Sequence, residues 1–210
     1  MEELERIKKM QEIENEKRKQ GYKLICGVDE AGRGPLCGPV VAGAVILKED
    51  EVIIGINDSK KISEKKREKL FDEINEKAIA VSVGIVWQDE IDEINILNAT
   101  KKAMKMAVEN LKIKPDYCLI DGNQKVNLDI NYETVIKGDM LSESIAAASI
   151  IAKVTRDRML IEDDKKYPEY GFAKHKGYGT KAHIEAIKKY GLCDLHRKTF
   201  CKKFVSDDNE

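Results

Sequence analysis

The chain has 210 residues, 36% charged and 42% hydrophobic, with 37 Lys and Arg against 38 Asp and Glu, for a formal net charge of −1. That predicts a globular domain with a full core plus an appendage, and it excludes a membrane span, because the longest charge-free run, residues 34–47, is 14 residues long and is broken by Pro and Gly. Five Cys residues without a Cys-x-x-Cys pair exclude a disulfide frame and a Cys-rich zinc site; the charged start MEELERIKKM, lacking an apolar stretch, predicts a cytoplasmic protein.

Residues 1–20 place Met1, Leu4, Ile7, Met10 and Ile13 on a thin helical stripe before Gly21, which predicts an amphipathic helix forming a peripheral extension over 1–21. Short Val- and Ile-rich runs at 23–28, 39–47, 51–56 and 79–86 read as strands. Ser63 is placed to cap a helix whose Leu70, Phe71, Ile74 and Ala78 share a face, and Asp89 opens a longer helix carrying Ile91, Ile94, Leu97, Met104, Val108 and Leu111. After Pro115, residues 116–120 and 133–136 read as two more buried strands. The run 144–152 is small or apolar on every side, as in a helix pressed onto a sheet. A helix starting at Thr180 and ending at Gly191 lies in the region that follows. Strands alternating with helices predict an α/β layered core with a helical C-terminal part.

The balanced charge hides an asymmetry. Residues 153–203 carry 14 Lys and Arg against 7 Asp and Glu, and they hold all three histidines, His175, His183 and His196. Such a face suits an anionic partner, although charged runs are also plain solvated surface. With 7 and 12 residues between them, the histidines match no common zinc spacing, and they read as surface or phosphate-side groups.

Three apolar strands run into acids: 24–28 into Asp29-Glu30, 117–120 into Asp121, and 134–136 into Lys137-Gly-Asp139. In a largely parallel sheet the C-terminal strand ends share one edge, where open α/β sheets bind ligands. Four converging carboxylates repel by on the order of 4 kcal/mol per pair at ~4 Å, so they require protons or a cation among them. Oxygen ligands without Cys or His favour Mg²⁺ or Mn²⁺, and two such ions can activate a water and stabilise the leaving oxygen of a phosphodiester. Taken alone, Asp121-Gly122 also makes a turn and Asp139 can cap a helix. Asp29 and Glu30 pose a further difficulty, because neighbours in a strand face opposite ways. Both reach one site if the chain leaves strand geometry near Ala31-Gly32. The Gly32-Arg33-Gly34 segment misses a dinucleotide fingerprint by one position and contains Pro35, so it reads as a loop that lets backbone approach a ligand.

Six motifs occur in order: Gly27-Val-Asp-Glu-Ala-Gly-Arg-Gly-Pro-Leu36, Asn57-Asp-Ser-Lys-Lys61, Leu119-Ile-Asp-Gly-Asn123, Lys137-Gly-Asp139, Ile145-Ala-Ala-Ala-Ser-Ile-Ile-Ala-Lys-Val-Thr-Arg-Asp157 and Tyr170-Gly-Phe-Ala-Lys-His-Lys-Gly-Tyr178. In combination they resemble the type 2 ribonucleases H, bacterial ribonuclease HII, from about Tyr22 to Phe204. The resemblance implies an α/β, ribonuclease H-like mixed five-stranded sheet flanked by helices, with a catalytic region at 22–157 and a basic helical C-terminal region at 158–210. It implies metal ligation by Asp29, Glu30, Asp121 and Asp139, and endonucleolytic cleavage of RNA in RNA–DNA hybrids and at single ribonucleotides embedded in duplex DNA. It further implies that Gly32, Arg33, Gly34 and Tyr178 recognise the 2′-hydroxyl at the step from ribose to deoxyribose, and that Ser59 and Lys60 contact phosphate, with Lys153 and Arg156 on the helix behind the last carboxylate as further basic candidates. The expected enzyme is a monomer. Two rivals, a catalytically silent nucleic-acid-binding module of the same fold and a metal-dependent small-molecule phosphohydrolase, account less well for four retained acids and for the basic C-terminal stretch respectively.

Overall fold

The computed structural model describes residues 2–205. Its elements, in chain order, are α1 (Glu2–Met10), α2 (Glu12–Lys19), β1 (Ile25–Ala31), β2 (Val40–Ile46), α3 (Glu64–Lys77), β3 (Ala80–Val86), α4 (Gln88–Glu109), β4 (Tyr117–Asp121), β5 (Asn131–Val135), α5 (Gly138–Leu141), α6 (Glu143–Lys166), α7 (Phe172–His175), α8 (Lys181–Tyr190) and α9 (Lys198–Cys201). The five strands form one mixed sheet in the order β3-β2-β1-β4-β5. Strands β1 and β2, and β2 and β3, run antiparallel, whereas β1, β4 and β5 run parallel. The C-terminal ends of β1, β4 and β5 therefore lie on one edge, as their terminal acids predicted.

Helices cover both faces of the sheet. On one, α6 lies against β1 and β2 with no room for side chains between: a Cβ on Gly27 would sit 2.0 Å from Ser144 C, and one on Gly43 would sit 2.4 Å from Ala148 O. The all-round small residues of 144–152 therefore serve close approach, and α6 continues as one helix to Lys166. It passes through the expected division between residues 157 and 158, so no linker separates the two regions there. On the other face Val28, Ala42, Ala44 and Ile46 pack with Ala99, Ala103, Met104 and Ala107 of α4. That helix begins at Gln88 and breaks at Asn95 (φ 66°), whose Oδ1 accepts from the Asn98 amide and restarts it. Ser63 and Thr180 cap α3 and α8 as predicted, and Gly191 ends α8.

Several expectations change. Residues 51–56 form no strand: Ile53 and Ile56 are buried, but the Ile53 amide donates to Glu143, the Gly55 amide to Glu3, and the Ile56 carbonyl accepts from Arg6. Side chains take the backbone groups that a neighbouring strand would have used. Strand β5 is an edge rather than a buried strand, and Ile136 lies past its end at 66% exposure. The N-terminal residues are not peripheral, since Ile7 and Met10 join the core beneath α6. Buried Glu14 accepts from Ser142 Oγ (2.7 Å) and the Ser144 amide (3.1 Å) at the start of that helix. Met1, counted in the predicted stripe, lies outside the described residues.

Candidate active site

Strand β1 stays regular through Ala31, paired with Val41 of β2, so the expected departure from strand geometry does not occur. Its parallel ladder with β4 ends earlier, at Val28 and Ile120, and the next residues are Asp29 and Asp121. Asp29 lies on the α6 side, buried, with its Oδ1 accepting from the Glu30 amide at 2.7 Å and with Ser149 of α6 close enough to favour its charged form. Glu30 faces the other way, lining a recess with Leu97, Thr100 and Met104 of α4 and with Asp121. Pleating thus puts the two adjacent acids on opposite sides of one strand end, and Asp121 neighbours both.

Asp121 also ties down the third strand end. Lys137 adopts a left-handed turn (φ 60°) after β5, and the Gly138 amide then donates to Asp121 Oδ1 at 2.7 Å. The turn opens α5, where Asp139 follows in the first turn. Charge crowding is visible in Asp29, Glu30 and Asp139. Burial, then the charges of Glu30 and Asp121, hold the Asp29 carboxyl well above the usual carboxylate range. Burial also raises Glu30, opposed by Arg33 at 3.4 Å and reinforced by Asp121. Asp139 is raised by burial and then by Asp121 and Asp58. Burial works against the charge on Lys60, but Asp29, Asp58, Asp139 and Glu30 outweigh it and raise the ammonium.

Among the described residues, no three His, Cys, Asp or Glu side chains already stand in a closed metal-binding arrangement. Asp121 is near enough to raise the other three acids, yet the four do not stand as a closed set of ligands. Their chemistry fits a hard divalent cation, because every donor is a carboxylate oxygen and the only cations among the groups that shift them are Lys60 and Arg33.

Beside the acids runs a groove of about 530 Å³. Glu30, Gly32, Arg33, Gly34, Ser59, Lys60, Lys153 and Tyr178 all line it, so seven of the eight residues expected to bind substrate share one wall system with a candidate ligand. Tyr178 is 42% exposed; its ring stands across from the Gly34 backbone, where an added Cβ would lie 3.8 Å from Cε1, and Lys153 Nζ sits 5.8 Å from the ring centroid. Lys153 is also paired with Asp157 at 2.7 Å, and burial lowers its ammonium.

Arg156, the eighth residue, requires correction. It is 1% exposed, and its guanidinium donates to the carbonyls of Pro39 (2.9 Å), Lys176 (2.9 Å) and Cys37 (3.0 Å), leaving it a strut inside the protein. The Ser59 hydroxyl likewise turns inward, 2.8 Å from Ser149 Oγ, so it supports the serine beside Asp29. The histidines do not face phosphates as a set: His183 and His196 are buried, Nε2 to Nε2 at 3.1 Å, and His175 stacks on His183. Burial pushes both buried rings down to about 4.

Two contributors were missed in the sequence. Asp58 stands close enough to Asp139 to raise it and accepts from the Lys60 amide, and its signal was present as the acid beside Lys60 in the Asn57-Asp-Ser-Lys motif. Ser149 stands beside Asp29 and favours its charged form, and nothing in an alanine-rich helical run distinguishes it.

Comparison with known proteins bears on the chain as a whole. A family model described as Ribonuclease HII matches residues 26–203. A ribonuclease HII of Acetivibrio thermocellus is 64% identical over 203 residues, covering 97% of this chain and 79% of the relative, and that of Caldicellulosiruptor bescii is 57% identical, covering 93% and 95%. The crystal structure of ribonuclease H2 from Pyrococcus horikoshii OT3 superposes with a TM-score of 0.74 at 31% identity, over 86% of this chain and 96% of that one.

Proposed function

The chain belongs to the ribonuclease HII family, and from that membership we propose that it cleaves the RNA strand of RNA–DNA hybrids and nicks duplex DNA on the 5′ side of an embedded ribonucleotide, leaving 3′-hydroxyl and 5′-phosphate ends. It is a metal-dependent endoribonuclease of the type 2 ribonuclease H class, with nucleic acid as its substrate. The observation that carries the finer reading is the groove that sets Glu30 beside the Gly-Arg-Gly loop, Lys60 and Tyr178.

In this reading Asp29, Glu30, Asp121 and Asp139 hold Mg²⁺ or Mn²⁺, two ions in the catalytic complex. When bound, the ions activate a water and neutralise the charge that develops on the leaving 3′ oxygen. Asp58 stands beside Asp139, and Ser149, bonded to Ser59, stands beside Asp29. Lys60, kept charged by the surrounding acids, draws the scissile phosphate to the strand ends. Across the groove, the loop backbone and the flat ring of Tyr178 read the sugar, whose 2′-hydroxyl is what separates RNA from DNA. Residues 22–157 act as the catalytic region and the basic 158–210 region meets the backbone phosphates. The enzyme works as a monomer in the cytoplasm; among the described residues no helix is long and apolar enough to cross a membrane.

The test is a DNA duplex carrying one ribonucleotide, incubated with the protein and Mg²⁺ or Mn²⁺. A nick 5′ of the ribonucleotide is expected. Cutting of an all-DNA duplex at the same rate, or no cut with either metal, would refute the reading.

A further inference from the structure

We propose that Arg197 is a positioning residue for sugar discrimination: from the C-terminal segment it holds the Gly32-Arg33-Gly34 loop in the arrangement that leaves loop amides free for a ribose. The proposal rests on the reading of that loop given above.

Arg197 is 0% exposed, and all four of its side-chain hydrogen bonds go to carbonyls of one loop. Nη2 donates to Gly32 O (2.6 Å), Nη1 to Arg33 O (3.0 Å) and Pro35 O (2.9 Å), and Nε to Gly38 O (3.0 Å). Its own amide donates to Leu36 O at 2.8 Å. Arg156 takes the Cys37 and Pro39 carbonyls from the other direction. A planar fork with five donors can span such a fan of oxygens, which a lysine, as a point charge, cannot. With its carbonyls engaged in the interior, the loop leaves the amides of Arg33 and Gly34 with no acceptor among the described residues, and both residues line the groove.

The same segment fixes the opposite wall. His196 Nε2 meets His183 Nε2 at 3.1 Å, and His183 Nδ1 is 3.0 Å from the Tyr178 carbonyl. With Nδ1–H donating to that carbonyl, His183 Nε2 accepts from His196, whose Nδ1 accepts from the Cys193 amide at 3.0 Å. Adjacent residues 196 and 197 thus set the spacing between the loop and Tyr178. Neither buried arginine has a carboxylate at ion-pair distance among the described residues, a costly arrangement for a charge that does nothing but fill space.

The test uses the full chain with Arg197→Lys, alongside Gly34→Ala, whose added methyl faces only Tyr178 and leaves Arg197 untouched. Two quantities are read: the ratio of kcat/KM on a duplex with one ribonucleotide to that on an RNA–DNA hybrid, and hydrogen exchange at Leu36 and Gly38, whose amides donate to the Gly177 and Leu195 carbonyls at 2.8 Å. Arg197→Lys should lower the ratio at least tenfold and speed loop exchange while the amides of β1 and β4 keep their protection. If Gly34→Ala lowers the ratio and Arg197→Lys leaves ratio and loop exchange unchanged, the loop reads the sugar but Arg197 does not position it, and the proposal falls. If neither variant changes the ratio, the reading of the loop itself fails and takes the proposal with it. Should Arg197→Lys not fold, Asp92→Ala serves. Asp92 accepts from the amides of Lys198 (2.6 Å) and Thr199 (3.0 Å) and so anchors the chain just after Arg197. It should lower the ratio at least threefold, and an unchanged ratio overturns the proposal.

Discussion

Replacing Asp121 by Asn separates the two roles its carboxylate plays. Asp121 Oδ1 accepts from the Gly138 amide at 2.7 Å, and the neutral amide oxygen of Asn can keep that bond, so the turn that carries Asp139 stays docked. What is lost is a negative charge that raises Asp29, Glu30 and Asp139. Like charges ~8 Å apart at an effective dielectric near 20 repel by about 2 kcal/mol. The metal-free variant should therefore be more stable than wild type by roughly 1–3 kcal/mol, a rise in Tm of about 3–10 °C for a chain of this size. Cleavage should fall by about 10³-fold, or ~4 kcal/mol of transition-state stabilisation. Thermal melts in EDTA and in Mg²⁺, with nicking assays on the same preparations, measure both effects, and the Mg²⁺-induced rise in Tm should shrink with the lost charge. A lower Tm in EDTA, or cleavage within tenfold of wild type, would refute the electrostatic account of the site.

Stability should depend on pH in two opposed ways. Asp29, Glu30 and Asp139 bind protons more tightly folded than unfolded, so their contribution is present at low pH and is lost as pH rises through their raised values. The stability gained from Mg²⁺ should accordingly grow with pH, and a flat difference between melts in Mg²⁺ and in EDTA from pH 5.5 to 8 would contradict this. His183 and His196, lowered to about 4, act the other way: stability is lost as pH falls from 6.5 towards 4, by up to about 3 kcal/mol per ring, as acid melts of wild type against His183→Gln would show. Glu14→Ala should cost about 2 kcal/mol in urea unfolding, because Ser142 Oγ and the Ser144 amide lose their buried acceptor; a loss under 0.5 kcal/mol would make the N-terminal contact incidental. Duplex affinity should fall with salt at a log–log slope of roughly −4 to −5, corresponding to about four to six phosphate contacts. A slope flatter than about −2 would mean that the basic C-terminal stretch is only solvated surface.

Periodicity and local chemistry sufficed for much of this protein. Val- and Ile-rich runs gave β1 to β3 within a few residues, and the side-chain caps Ser63 and Thr180 act over three residues, so both were legible from the chain. The acids at three strand ends were legible too, because parallel strands must carry their C-terminal residues to one edge. Tertiary structure decided what depends on partners distant in sequence. Residues 51–56 look like a strand, but their backbone groups are claimed by Glu3, Arg6 and Glu143, and no local pattern announces that. The same holds for charge. Arg156, Arg197, His183 and His196 count as part of a basic stretch in the sequence, yet the fold buries them against carbonyls and one another. A residue's type fixes how many hydrogen bonds it can offer; only packing fixes whether water, phosphate or the protein's own backbone receives them.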